Sequence, residues 1–269
     1  MDKLIFKVQH KNIFLPGSSE MSNWALALTY ILPTIAIIIS YRERLGLERD
    51  IIIGSIRAVI QLSIIGLILK FIFSLDNVFI TSLILLIMVY NATLVAAKRG
   101  EKIVHAKRIS FVSILLSLII TLGALILVKA ISYTPSEAIP ISGMVVGNSM
   151  IALGVLYKNL ADSFFDRRDE VEVKLCLGAK PREAARGLIR NSIKLAMAPT
   201  VDSMKTMGIV QLPGMMTGLI LAGTAPEIAI KYQIMVMFMI TGSVTIAGFS
   251  ASYWAYRSFF NDKAQLYDI

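Results

Sequence analysis

The sequence predicts an all-α, polytopic membrane protein with about seven transmembrane helices and an amphipathic cytoplasmic coupling segment between spans five and six. Three observations carry this. Of 269 residues, 56% are hydrophobic and only 17% charged, whereas soluble domains are about one quarter charged. The mean hydropathy is +0.70. The apolar residues also fall in runs of about 20, the length that crosses roughly 30 Å of hydrocarbon.

Seven such runs stand out, at 23–40, 51–73, 78–97, 109–131, 139–157, 206–223 and 232–256. The formal charge of +9 is concentrated between them. Segment 41–50 carries Arg42, Arg44 and Arg49, and 98–108 carries Lys98, Arg99, Lys102, Lys107 and Arg108. Segment 158–194 holds nine basic residues, while 74–77 and 132–138 hold none. Basic loops mark the cytoplasmic side, so the alternation predicts an external N-terminus, a cytoplasmic C-terminus and a multi-pass protein of the cell membrane. The same confinement of charge argues against a nucleic-acid partner. Residues 1–22 break the pattern with Lys3, Lys7 and Lys11 on the outer side. They read as an N-terminal extension: either the tail is translocated despite its charge, or the native chain starts at Met21. The permease domain is expected over 23–260, and a cytoplasmic tail over 261–269.

Segment 158–194 is too short for a separate domain, but its punctuation is informative. The run from Glu170 to Leu177 favours a helix, and Gly178 can take the left-handed cap that ends it. Pro181 suits the first turn of a second helix. Ala185, Leu188 or Ile189, Ser192 and Ala196 then recur at helical spacing on one face. A short helix, a sharp turn and an amphipathic helix are expected.

The spans offer few polar groups. Arg57 and Gln61 share a face of span two, and a charge at that depth normally faces the bundle interior or a water-filled path. They read either as a pathway lining or as buried structural partners. Asn91, Asn148 and Ser149 read as hydrogen-bonding groups between helices. Asp202 and Lys205 are spaced to pair within one turn, either as an internal ion pair or as part of a pathway. Gly208, Pro213, Gly214 and Gly218 interrupt the next apolar run, as at transporter substrate sites. Eight of the 13 methionines lie between 197 and 239. Thioethers suit Cu(I) better than iron, but adaptable packing is the preferred reading. One cysteine, two histidines and scattered carboxylates advertise no tight metal site, and the metal ligands stay unknown.

Some classes are excluded or disfavoured. No G-x-x-x-x-G-K-[ST] string is present, so this chain lacks a phosphate-cradling loop of its own. Asp162, Asp166 and Asp169 alternate with Arg167 and Arg168 as a solvated surface rather than a catalytic cluster. A self-contained secondary transporter would carry repeated halves and intramembrane ionisable groups for ion coupling; no convincing repeat is present, and acids within the spans are scarce.

The run from Glu172 through Gly178 to Ala179 resembles the EAA-type loop of ABC importer permeases, with an acidic residue six positions before a glycine. Further strings extend the likeness: Gly147-Asn148-Ser149-Met150, Pro199-Thr200-Val201-Asp202-Ser203-Met204-Lys205-Thr206, Leu212-Pro213-Gly214-Met215-Met216-Thr217-Gly218 and Lys231-Tyr232-Gln233-Ile234-Met235-Val236. With Arg57-Ala58-Val59-Ile60-Gln61-Leu62 and Asn91-Ala92, these resemble the FetB-type family of ABC transporter permeases from Trp24 to Phe260. The resemblance implies a transport subunit, not an enzyme, paired with a cytoplasmic ATPase that holds ATP and Mg. It also implies a link to iron export and metal or oxidative stress tolerance in bacteria. Plant relatives are tied to aluminium tolerance and, in one proposal, to a nucleotide sugar. A homodimer of permeases is expected, because one elbow supplies half of a two-sided machine. Glu172, Gly178, Ala179, Arg182, Glu183 and Arg186 are the expected ATPase contacts. Arg57, Gln61, Asn91, Asn148, Asp202, Lys205, Pro213 and Gly214 are the expected pathway residues.

Overall fold

A computed structural model describes residues 22–75 and 77–267. The N-terminal extension lies outside the described residues apart from Ser22. The chain divides into two units at Leu75. Helices are the only repeating secondary structure among the described residues.

The first unit holds α1 (Asn23–Thr29), α2 (Ile31–Arg42) and α3 (Glu48–Leu75). Pro33 lacks the N–H that would bond back to Thr29, and the break between α1 and α2 falls in that turn. Ser40 clamps the α2–α3 turn: its hydroxyl donates to Glu48 Oε1 at 2.9 Å and accepts from the Leu47 N–H at 3.2 Å. The described side chains of α3 are exposed or half-buried, and none of its most apolar stretch is buried.

The second unit begins with α4 (Val78–Lys98), α5 (Ala106–Leu127) and α6 (Pro135–Asp166). Next come α7 (Arg168–Cys176), α8 (Pro181–Ala184), α9 (Arg186–Thr206), α10 (Gly214–Leu221) and α11 (Pro226–Ala255). Its core is the packing of α5, α6 and α11, with α4 against α5 and α6, and α9 against α6 and α11. Small residues allow this closeness: Ser110, Ser113 and Ser117 on α5, Ser142 and Ser149 on α6, and Ala247, Ala251 and Ala255 on α11 are buried. Helices pack in lipid through such small faces and through hydroxyl bonds. Ser117 supplies one, contacting Ser149 Oγ at 3.2 Å and donating to the Ser243 carbonyl at 3.0 Å.

Among the described residues, six helical stretches are long and apolar enough to span a bilayer: 24–42, 48–73, 78–98, 106–127, 135–166 and 226–259. The expected span at 206–223 is interrupted. The helix entering it ends at Thr206, Gly208 adopts φ +83°, and Met207 bridges Gln211. Only the eight residues of α10 follow, about 12 Å of helix. Hydropathy summed along the segment does not register that break. Conversely, α6 extends nine residues past its expected end at 157, because Leu160, Ala161 and Phe164 keep one face buried.

Candidate functional site

Beneath the interrupted segment lies a cavity of about 500 Å³. Its walls come from α6 (Asn148, Ala152), α9 (Pro199, Thr200, Ser203, Met204), the connection Met207–Pro213, the start of α10 (Gly214, Met215) and α11 (Gln233, Met237). The break is what opens it. An uninterrupted helix would satisfy its own backbone groups, whereas irregular backbone at membrane depth occurs where protein or a water-filled cavity receives it.

Four separate strings of the sequence meet here: one residue or more from each of 147–150, 199–206, 212–218 and 231–236 lines the space. No charged side chain is in the lining. Instead it presents amides, hydroxyls and the thioethers of Met144, Met204, Met207, Met215 and Met237. Gln233 is 7% exposed; its Nε2 donates to Met207 Sδ at 3.6 Å, while Oε1 has no partner. A buried amide oxygen without a partner forfeits its hydration, a cost of about 1–3 kcal/mol. The single Thr241 hydroxyl proton on α11 faces two acceptors, the Met237 carbonyl of its own helix at 2.9 Å and Met204 Sδ of the α9 wall at 3.0 Å.

Of the expected pathway residues, Asn148, Pro213 and Gly214 line this cavity. Asp202 and Lys205 do not. They pair with each other at 3.2 Å, both side chains being 69% exposed, because they fall on the face of α9 away from Ser203 and Met204. Asn91 donates to the Ile87 carbonyl of its own helix at 3.0 Å and is exposed. Asn148 likewise donates within α6, to the Met144 carbonyl at 2.8 Å. The expected bonding between helices therefore holds for Ser149 but not for these asparagines. Arg57 and Gln61 sit in the first unit and are exposed along α3. Gln233, Thr200 and Ser203 were not singled out from the sequence. The available signal was their place as polar residues inside strings otherwise rich in apolar side chains.

At one end of the second unit, α7, α8 and the start of α9 form the elbow. Gly178 has φ +89°, a conformation that penalises any side chain. Its N–H donates to the Leu175 carbonyl at 2.9 Å and that of Ala179 to Lys174 at 3.0 Å, the paired bonds of a Schellman cap. The backbone closes the turn. Glu172 instead accepts from Arg168 at 2.7 Å within α7. Glu183 accepts from the Lys180 N–H at 3.3 Å at the start of α8. Lys174 donates to Glu170 at 2.5 Å, and this bond together with the lysine charge holds the Glu170 carboxyl below the usual range. The turn carries an apolar tip, with Val173 58% and Leu177 82% exposed. Arg182 is exposed but engaged: its guanidinium stacks 4.5 Å over the Tyr253 ring and donates to the Tyr253 hydroxyl. At the base of the elbow, Phe164 stacks on Phe259 at 4.2 Å.

The fold thus defines a polytopic, all-α membrane protein with a cavity inside its helix bundle. Residues 23–260 match the family described as "Uncharacterised protein family (UPF0014)", and the chain belongs to that family. It is 46% identical over 250 residues to the "Probable iron export permease protein FetB" of Escherichia coli (strain K12), covering 93% of this chain and 96% of that one. It is 38% identical to "Protein ALUMINUM SENSITIVE 3" of Arabidopsis thaliana, covering 94% and 91%. It is also 38% identical to "UPF0014 membrane protein STAR2" of Oryza sativa subsp. japonica, covering 87% and 82%. No solved structure matches the chain.

Proposed function

We propose that this permease is the membrane subunit of an ABC transporter, driven by a separate cytoplasmic ATPase that binds ATP and Mg and docks on the elbow. One observation carries the reading: α9 and α11 each run from the elbow to the cavity. Arg186 begins α9 and Thr200 of the same helix lines the cavity, about 21 Å further along at helical rise. Tyr253 holds Arg182 at one end of α11, and Gln233 lines the cavity nearer the other. A displacement of the elbow therefore moves two walls at once, the rigid-element coupling that alternating access needs. The exposed Val173 and Leu177 supply an apolar knob for a groove on the ATPase.

The proposed cargo is iron or a related metal species moving outward across the cell membrane, with the N-terminus outside and the C-terminus cytoplasmic. The name of the Escherichia coli relative supports the cargo. An uncharged lining favours passing contacts over tight coordination, which is compatible with release. No carboxylate lines the cavity, and this disfavours ion-coupled secondary transport. Two copies are proposed per complex, because one elbow supplies half of a two-sided machine.

The decisive experiment is reconstitution with the ATPase. Gly178→Pro, which cannot take φ +89°, and Leu177→Asp are expected to abolish co-purification of the ATPase and transport-coupled hydrolysis. If both persisted at wild-type level, docking at the elbow would be wrong.

A further inference from the structure

A second cavity, of about 430 Å³, lies between the start of α9 and the last turns of α11. Arg182, Arg186 and Arg190 line it. They stand four residues apart, and Ala185 between α8 and α9 keeps right-handed backbone (φ −84°, ψ −4°), so the three guanidinium groups share one face. Glu183 is the one carboxylate in the lining, and one of its oxygens already accepts from the Lys180 N–H. Arg182 is held in place by Tyr253. Arg186 and Arg190 make no ion pair among the described residues. Like charges at this spacing repel, and the positive end of α9 adds to the field. The arrangement is unfavourable without an anion and favourable with one.

The rest of the lining indicates what kind of anion. Ile189 and Ile193 continue the arginine face, and Phe249 stands on the opposite wall, so a basic floor adjoins an apolar side. Tyr253 and Tyr256 close the cleft near the end of a membrane-spanning helix, with Trp254 beside them in sequence. Aromatic and basic residues together at a span end are the composition of the headgroup layer. We infer that this cleft binds the phosphate of an anionic lipid headgroup, with the guanidinium groups on the phosphate and the isoleucines and Phe249 against the glycerol and upper acyl chain. Arginine forks match phosphate oxygens in paired hydrogen bonds. Because Arg182 and Arg186 adjoin the elbow, the lipid would join the elbow to α11.

The test uses the full chain in nanodiscs and native mass spectrometry of retained lipid. Phosphatidylglycerol is expected to be retained in preference to phosphatidylcholine. Arg186→Gln and Arg190→Gln should each weaken that preference about fivefold, with Arg→Lys at the same positions keeping part of it. Three results overturn the inference. One is equal retention of the two lipids by the wild type. Another is displacement of phosphatidylglycerol by inorganic phosphate at matching concentration, which would mark a site for free phosphate. The last is release of the ATPase by the Gln variants with lipid preference unchanged, which would assign the arginines to an acidic protein surface. Should one of the two variants not be recovered folded, the other decides: no drop in its preference sinks the inference.

Discussion

The two cavities of the second unit share helices α9 and α11 but differ in chemistry. The central one is lined by amides, hydroxyls and thioethers without a charge. The one beside the elbow gathers three arginines against aromatic rings. Both lie between the same pair of helices, so their contrast does not come from different folds. It comes from where each residue falls along α9, whose first half supplies Arg186 and Arg190 and whose second half supplies Pro199, Thr200, Ser203 and Met204. On the proposed function, charge stands where partners would dock and is absent where a cargo would enter and leave.

The sharpest way to break this comparison is at Gln233. Its Oε1 is buried without a protein partner beside the cavity that Gln233 lines. Gln233→Leu removes an unsatisfied acceptor, so thermal stability in detergent should hold or rise, by about 1 kcal/mol. Transport should fall about tenfold, the loss expected from one polar contact to a passing cargo. A variant that transports normally would make Gln233 a packing residue. One that unfolds would make its bond to Met207 a structural one.

How legible these regions were differs for physical reasons. The elbow could be read because its signals are local: Gly178 and Pro181 each dictate backbone geometry within a few residues, and the structure places a Schellman cap and a helix start there. The buried face Leu188, Ile189, Ser192 and Ala196 followed from periodicity alone. The central cavity was only partly legible. Pro213 and Gly214 announced a break, but the lining depends on four strings meeting across four helices and a connection, and no spacing rule encodes that. Asp202 and Lys205 show the limit well. Their pairing is a property of a helical turn and was readable, while the face on which they lie is set by how α9 packs, which was not.

A milder perturbation acts on the link between the regions. Tyr253→Phe keeps the ring under Arg182 but removes the hydroxyl that accepts from it. The pair is exposed, so the stability change should be small, about 0.5 kcal/mol. Coupling between ATP hydrolysis and transport should nevertheless loosen, measured as more ATP consumed per cargo moved, about a twofold change on the same energy scale. A Tyr253→Ala variant that loosened coupling no further would show that the ring contributes nothing and the hydroxyl carries the link.

The smallest expected effect concerns pH at the elbow. Glu170 stands one turn before Lys174 on α7, the favourable order for a helical ion pair. The hydrogen bond from Lys174 and its charge lower the Glu170 pKa, with Arg167 adding to it. A carboxyl whose pKa is lower folded than unfolded stabilises the fold above its unfolded value, and that contribution is lost as pH falls through the lowered value. Neutral pH therefore leaves α7 fully supported, and only strong acidification weakens it. Carbon-detected NMR of the Glu170 carboxyl should show it titrating below an ordinary glutamate in the wild type. In Lys174→Met it should move up toward the ordinary value, because the dominant cause of the shift is gone. If the titration did not move, the pair would be absent in solution, and α7 would owe its helix to the buried Val171 and to its Schellman cap rather than to charge.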